Sequence, residues 1–170
     1  MELKNFVCQN ENNNLDKYLE FYQRVRDNME HPEWLGTFTK DELKMLLEHG
    51  AKLFNYYNND LIVCSFLYLP CTNKSLQKHN INYDESIVGS CGPIMVNPDY
   101  IGNGLQKQMI EEFDNYCRLL NKQFAYTKIH PDNSYCINNF LKEDYKFLQT
   151  YTSPKDGEIR NDYLKKLWIW

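Results

Sequence analysis

The sequence lacks any apolar run near the ~20 residues that a membrane-spanning helix needs. Its opening stretch, from Met1 to Asn14, has no apolar core of the signal-peptide kind. It also lacks a basic block: 19 Lys and Arg stand against 23 Asp and Glu, for a formal net charge of -4. A nucleic-acid partner requires cationic groups to displace the counterions of its phosphates, so this balance argues against nucleic acid as the main ligand. The six cysteines (Cys8, Cys64, Cys71, Cys91, Cys117, Cys136) form no CxxC pair and no Cys/His spacing suited to structural zinc, and no metal site is expected. Scattered thiols in a chain of 170 residues read as reduced and mostly buried, which points to a cytoplasmic protein. There is no internal repeat and no Gly/Ser- or Pro-rich linker, so residues 1–170 read as one domain.

What is present can support a sizeable core. Hydrophobic residues make up 42% of the chain and aromatic residues 15%, with 13 Tyr and 9 Phe. A chain of this length buries roughly 70% of its unfolded surface on folding. Leu3–Cys8 alternates weakly as a first strand. Leu15, Tyr18, Leu19, Tyr22 and Val25 follow helical spacing, and His31-Pro32 ends that helix because the residue before a proline is pushed out of the helical region. Glu33–Phe38 reads as a loop carrying Trp34. Thr39 followed three residues later by Glu42 forms a capping box, and Gly50 closes the helix it opens. Lys52–Tyr57 and Leu61–Leu69 flank Asn58-Asn59-Asp60 as a hairpin. Pro70–Asp84 reads as a long irregular connection. Ser86–Val96 reads as a strand in which Gly89 and Gly92 signal a bulge or a close approach to the backbone. Leu105, Met109, Ile110, Phe113, Tyr116, Cys117 and Leu120 define the clearest amphipathic helix. Phe124–Ile129 is a short strand, Asp132 or Asn133 caps a helix running to about Glu143, and Lys146–Tyr151 with Tyr163–Trp168 close the sheet. The apolar end Leu167-Trp168-Ile169-Trp170 either folds back on the core or pairs with another chain, so monomer and homodimer both stand.

The chemistry concentrates in Val96-Asn97-Pro98-Asp99-Tyr100-Ile101-Gly102-Asn103-Gly104-Leu105-Gln106. This stretch joins the bulged strand to the strongest helix through a glycine-bearing turn. The first N–H groups of a helix have no internal partner, the helix dipole places partial positive charge there, and glycine lets an anion approach the backbone. The dinucleotide fingerprint is absent, since a third glycine is missing, and no Gly-Lys-Ser/Thr follows to make a P-loop. A second constellation runs from His130 through Asn133, Cys136, Ile137 and Phe140 to Asp144-Tyr145.

Together the two segments resemble the GNAT superfamily of acyl-CoA-dependent N-acetyltransferases. In that family a Val-x-Pro-x-Tyr stretch precedes Gln or Arg, Gly-x-Gly, Ile or Leu and a small residue, and a later Asn begins a helix ending near a Gly-Phe pair. The resemblance is specific from about Ile87 to Tyr151. It implies an α/β (α+β) fold with a mixed, mostly antiparallel sheet of about seven strands, flanked by about four helices and splayed between strands 4 and 5. It implies that Ile94, Met95 and Val96 offer backbone groups to the pantetheine arm of acetyl-CoA. It further implies that Ile101, Gly102, Asn103, Gly104, Leu105 and Gln106 hold the pyrophosphate and that Asn133 contacts the arm. Asn133 also reads as a plain helix cap.

Several positions depart from the family pattern. Ile101 stands where Gln or Arg is usual, Gln106 replaces a small residue, and Asp144 replaces the glycine. Phe140 stands where the family often places the tyrosine that protonates the departing thiolate, and phenylalanine has no hydroxyl. The candidates for the base are Glu85, at the edge of the fourth strand, and His130, at the end of the fifth, each with an ordinary structural reading beside the catalytic one. Trp34, Tyr56 and Tyr57, with Phe38, either wall the acceptor pocket or lid the core. The resemblance thus implies transfer of an acetyl group from acetyl-CoA to a primary amine of a small molecule or peptide by direct attack. A non-catalytic or weakly active acyl-CoA-binding protein on the same fold is the alternative.

Overall fold

Turn and cap chemistry lays out most of the elements. The computed structural model describes residues 1–10 and 15–168. Strand β1 (Val7–Asn10) is followed by helix α1 (Leu15–Asp27), which buries Leu15, Tyr18, Phe21, Tyr22 and Val25 at helical spacing. Helix α2 (Lys40–Glu48) begins at Thr39, whose hydroxyl accepts from the Glu42 N–H while the Glu42 carboxylate accepts from the Thr39 N–H. It ends at Gly50, held at φ +95°, a conformation that favours glycine. Strands β2 (Lys52–Asn58) and β3 (Leu61–Pro70) make the expected hairpin, with Asn59 at φ 53° in its turn.

Strand β4 (Val88–Val96) leads through a 3-10 turn, Pro98–Tyr100, into helix α4 (Leu105–Leu119). Strand β5 (Phe124–Ile129) leads into helix α5 (Ser134–Lys142), and strands β6 (Lys146–Thr152) and β7 (Ile159–Lys166) finish the sheet. Asp144, just past α5, lies at φ 63°, so the left-handed turn that glycine would make is made here by aspartate.

The seven strands form one sheet in the order β1-β2-β3-β4-β5-β7-β6. Every neighbouring pair is antiparallel except β4 with β5, which is parallel. One face packs α4 and α5 through Met109, Ile110, Phe113, Cys117 and Phe140; the other packs α1 and α2 through Tyr18, Leu43, Leu53, Leu67 and Met95. At Gly89 the strand lies so close to α4 that an added Cβ would sit 2.7 Å from the Cys117 Sγ. At Gly92 it would sit 3.1 Å from Leu67. Both glycines therefore mark close approaches, and the bulge falls beside the second: Phe66 pairs with Ile94 but Tyr68 pairs with Cys91, leaving one extra β4 residue at Gly92-Pro93.

Three elements differ from the sequence reading. Pro70–Asp84 contains a helix, α3 (Asn73–Lys78), whose Thr72 and Ser75 form a capping box with serine at the third position, and Leu76 beneath it is buried. The first strand begins only at Val7, because Leu3–Asn5 forms a 3-10 turn that drives Leu3 into the core. The last strand is Ile159–Lys166 and lies inside the sheet, so the edge is β6; of the apolar end, Leu167 is buried, Trp168 is exposed, and residues 169–170 lie outside the described residues. The polar tract expected as a loop, 10–14, lies outside them too, apart from Asn10 in β1. Among the described residues no helix is long and apolar enough to cross a membrane.

Candidate functional site

The site begins where two strands part. The parallel ladder between β4 and β5 runs from Val88↔Phe124 to Cys91↔Thr127 and stops there, at the bulge. Beyond it β4 stays with β3 while β5 stays with β7, so a split opens between Gly92–Val96 and Lys128–Ile129. The Asn97 N–H donates to the Val63 carbonyl oxygen. Bonded and unbonded pairs alternate in an antiparallel ladder, so Met95 exchanges bonds with Ser65, and the N–H groups of Ile94 and Val96 point away from β3 into the split.

The glycine turn lies at one mouth of this split. Asn97 builds it: its buried side-chain amide donates to the Ile62 carbonyl, and its Oδ1 accepts from the Asp99 N–H. Gly102 (φ +86°) and Gly104 (φ +70°, the cap of α4) take left-handed conformations, and a Cβ on either would meet open space. Within the chain's own hydrogen bonding, the N–H groups of Gly102 to Lys107 meet no acceptor among the described residues; the Gln108 N–H is the first of α4 to find one, on Gly104. Gln106 has a job that the sequence did not reveal. Its Oε1 accepts from Asn139 at 2.6 Å and its Nε2 lies 3.4 Å from the Cys136 Sγ, so it ties the start of α4 to α5. Asn133 is the cap of α5, accepting from the Cys136 N–H.

A single cavity of about 770 Å³, within the size range of ligand sites, passes through the split and reaches both faces of the sheet. On the α4 side it is lined by Ile101, Gly102, Gly104, Leu105, Gln106 and Asn133, and in the split by Ile94, Met95 and Val96. Phe140 also lines it, almost fully buried, with its ring edge-on to Tyr145 at 4.8 Å. Tyr135 stands at the exposed lip. Asn103 does not line the cavity; its side chain donates back to the Tyr100 carbonyl. Burial pushes the Cys136 thiol up to about 12 and the Cys91 thiol well above its ordinary range, so neither is a thiolate at neutral pH.

On the α1–α2 side the walls come from the loop after α1, with Met29, Leu35 and Phe38, and from the β6–β7 hairpin, with Tyr151, Lys155 and Arg160. Trp34 is the expected aromatic that does line this side, stacked between His31 (4.5 Å) and His130 (5.9 Å). Lys155 joins the two walls: it pairs with Glu42 at 3.0 Å and donates to the Thr37 carbonyl. Arg160, buried, donates to the Glu33 carbonyl and pairs with Asp156 at 3.2 Å.

Four expected site residues lie elsewhere. Tyr56 and Tyr57 are buried on opposite faces of β2, in separate parts of the core, and neither lines the cavity: strand alternation sends one side chain under α4 and the other under α1. Glu85 sits in a 3-10 turn at the far end of β4, where its carboxylate accepts from the Asn73 N–H at 2.6 Å and so caps α3. His130 is behind Trp34, outside the cavity lining. Its Nδ1 accepts from the Asp132 N–H at 3.2 Å, which in the neutral ring leaves the proton on Nε2, 3.8 Å from Glu158, and no free lone pair for a proton from an acceptor. Among the described residues no group of three His, Cys, Asp or Glu side chains is arranged to hold a metal ion.

No family model matches this sequence, and no curated protein sequence matches it. Solved structures do. The ribosomal-protein-S18-alanine N-acetyltransferase of Escherichia coli superposes with a TM-score of 0.73 at 10% identity, over 97% of this chain and 96% of that one. An acetyltransferase of the GNAT family from Streptococcus pneumoniae gives 0.69 at 12% identity, over 96% and 99%. A Bacillus subtilis acetyltransferase solved in complex with CoA gives 0.68 at 10% identity, over 96% and 99%. The chain has the GNAT fold, with its parallel β4–β5 pair inside an otherwise antiparallel sheet.

Proposed function

We propose that residues 1–170 act as one unit that binds acetyl-CoA and transfers its acetyl group to a primary amine of a small molecule or peptide. The observation that carries this reading is the row of N–H groups from Gly102 to Lys107 with no acceptor among the described residues, opening onto a sheet parted between β4 and β5. A diphosphate suits the row, because helix-start donors and two left-handed glycines present partial positive charge with no side chain in the way. An extended arm suits the split, where the Ile94 and Val96 N–H groups face inward to take its amide oxygens or to polarise a thioester carbonyl. Bound there, acetyl-CoA supplies an activated acyl carbon at the middle of the cavity. The acceptor amine enters from the α1–α2 side, past Trp34 and Phe38, which form an apolar lip.

Catalysis in this arrangement is positioning plus backbone polarisation. The buried, protonated thiols of Cys91 and Cys136 favour direct attack on the thioester over a cysteine intermediate. The test is calorimetric titration of the chain with CoA, followed by a thiol-release assay with acetyl-CoA and a panel of amines. Heat of binding with thiol release supports the reading; no heat refutes it.

The binder alternative rests on Phe140. At the position next to the split, a ring without a hydroxyl is packed against Tyr145, and neither Glu85 nor His130 reaches the cavity. Tight CoA binding with no thiol release from any amine would favour that alternative.

A further inference from the structure

The proton-handling residues expected from the sequence lie outside the cavity, yet a basic side chain with no partner among the described residues lines it. Lys128 is the first β5 residue beyond the last parallel pair, Cys91↔Thr127, so it sits where the split begins. Strand alternation puts its side chain on the face of Phe124 and Tyr126, the α1–α3 side, and it lines the cavity there with Tyr151 and Arg160. Among the described residues the Lys128 side chain makes no hydrogen bond or ion pair, while its main chain lies in the β5–β7 ladder opposite Asp162. The other cations of the cavity are engaged: Lys155 with Glu42, and Arg160 with Asp156 and the Glu33 carbonyl.

The neighbours of Lys128 explain why it stays alone. Asp162 is its direct cross-strand partner on β7, but that buried carboxylate is already satisfied. Oδ1 accepts from the Tyr126 hydroxyl at 2.7 Å, and Oδ2 meets His79 Nδ1 and Gln149 Nε2, each at 2.9 Å. Arg160, on the same strand as Asp162, adds a like charge, and Cys71 before α3 is a neutral thiol, pushed up to about 11. Lys128 is exposed at the cavity wall, and the groups packed near it displace part of its water. Desolvation lowers its pKa, with Asp162 opposing and Arg160 assisting, which raises the share of neutral amine.

We propose that Lys128 is itself an acyl acceptor: the chain acetylates its own Lys128 Nζ from acetyl-CoA. The inference rests on the acyl-CoA reading above. The Nζ lone pair attacks the thioester carbonyl carbon, the carbon–sulfur bond breaks, and sulfur leaves with the bonding pair. The amine proton passes to solvent and a proton returns to the thiolate, so the products are an acetamide and free CoA. Acetylation removes the only unengaged cation lining the cavity among the described residues, and it narrows the acceptor entrance beside Tyr151.

The test uses the full chain, acetyl-CoA and peptide mass mapping over time, after CoA binding has been measured by calorimetry. Lys128 is expected to acquire one acetyl group at least about tenfold faster than Lys44 and Lys146, which are also exposed but do not line the cavity, since proximity replaces chance encounter. Gly104→Glu, which blocks the anion site, should remove that advantage and leave surface acetylation unchanged. Lys128→Arg keeps the charge and the fold and should remove the modified peptide while CoA binding persists. Absence of CoA binding would sink the acyl-CoA reading and this inference with it. Binding with Lys128 unmodified, or modified no faster than Lys44, would overturn this inference alone.

Discussion

Gly104→Glu is expected to separate folding from the proposed cofactor binding, and both costs can be worked from the structure. Gly104 has φ +70°, so a residue with a Cβ carries a left-handed penalty of about 1–2 kcal/mol. Nothing lies within 4 Å of the Cβ position, so no clash adds to it. For a chain of this size that corresponds to a fall of about 2–8 °C in Tm. The binding cost is electrostatic. A carboxylate about 4 Å from a phosphate oxygen, at an effective dielectric constant of about 20, is repelled by about 4 kcal/mol. Exposure and salt reduce this to about 1.4–3 kcal/mol, a ten- to hundredfold loss of CoA affinity. Gly104→Asn is the control, because asparagine tolerates this conformation, caps helices and carries no charge. Calorimetry with CoA at two salt concentrations and a thermal melt read all three chains. The asparagine variant should bind within a few-fold of the parent, and the glutamate deficit should shrink as salt rises. Parental affinity in Gly104→Glu, or an equal loss in both variants, would refute the placement of the diphosphate.

Three further outcomes follow from the packing and the charges. Gly89→Ala should cost about 1–3 kcal/mol in urea unfolding, because its Cβ would sit 2.7 Å from the Cys117 Sγ, and adding Cys117→Ala should recover much of that loss. Phe140→Tyr should speed thiol release without changing CoA affinity, by up to the ~10²-fold at the low end of general-acid contributions, if the new hydroxyl reaches the leaving sulfur; an unchanged rate would mean that proton delivery to sulfur does not limit turnover. The Glu42 carboxyl is held below its ordinary 4.5 by the Thr39 N–H and by Lys155. Its stabilisation is therefore present above that value and lost as pH falls through the lowered folded-state pKa, so Glu42→Gln, which keeps the cap bond, should flatten that part of a Tm-against-pH curve.

Local physics was legible in the residues themselves. Thr39 with Glu42, Gly50 after α2, the Asn-rich turn between β2 and β3, and the periodicity of α4 each state a conformation through neighbours a few positions away. The glycine turn before α4 was legible for the same reason, since free helix-start donors and left-handed glycines are properties of a short segment. Helix α3 was missed because a six-residue helix has too few turns to show a period, and its box uses Ser75 where Glu or Gln is the readable signal.

The α1–α2 side of the cavity depended on long-range placement. Trp34, Tyr56 and Tyr57 are chemically similar, but only tertiary packing decides which aromatic meets the cavity; β2 buries both of its tyrosines under helices, while the loop after α1 swings Trp34 over the split. Glu85 and His130 carry the right chemistry, yet Glu85 is spent on capping α3 and His130 on the Asp132 turn. Lys128 drew no notice in the sequence, because a lysine on a strand is ordinary until the ladder beside it stops and its cross-strand aspartate is found already bonded. Short-range sequence thus determined most of the elements, their caps and the glycine turn before α4. Which side chains share one cavity was decided only when the sheet parted, because that depends on strand alternation and on partners scores of residues away.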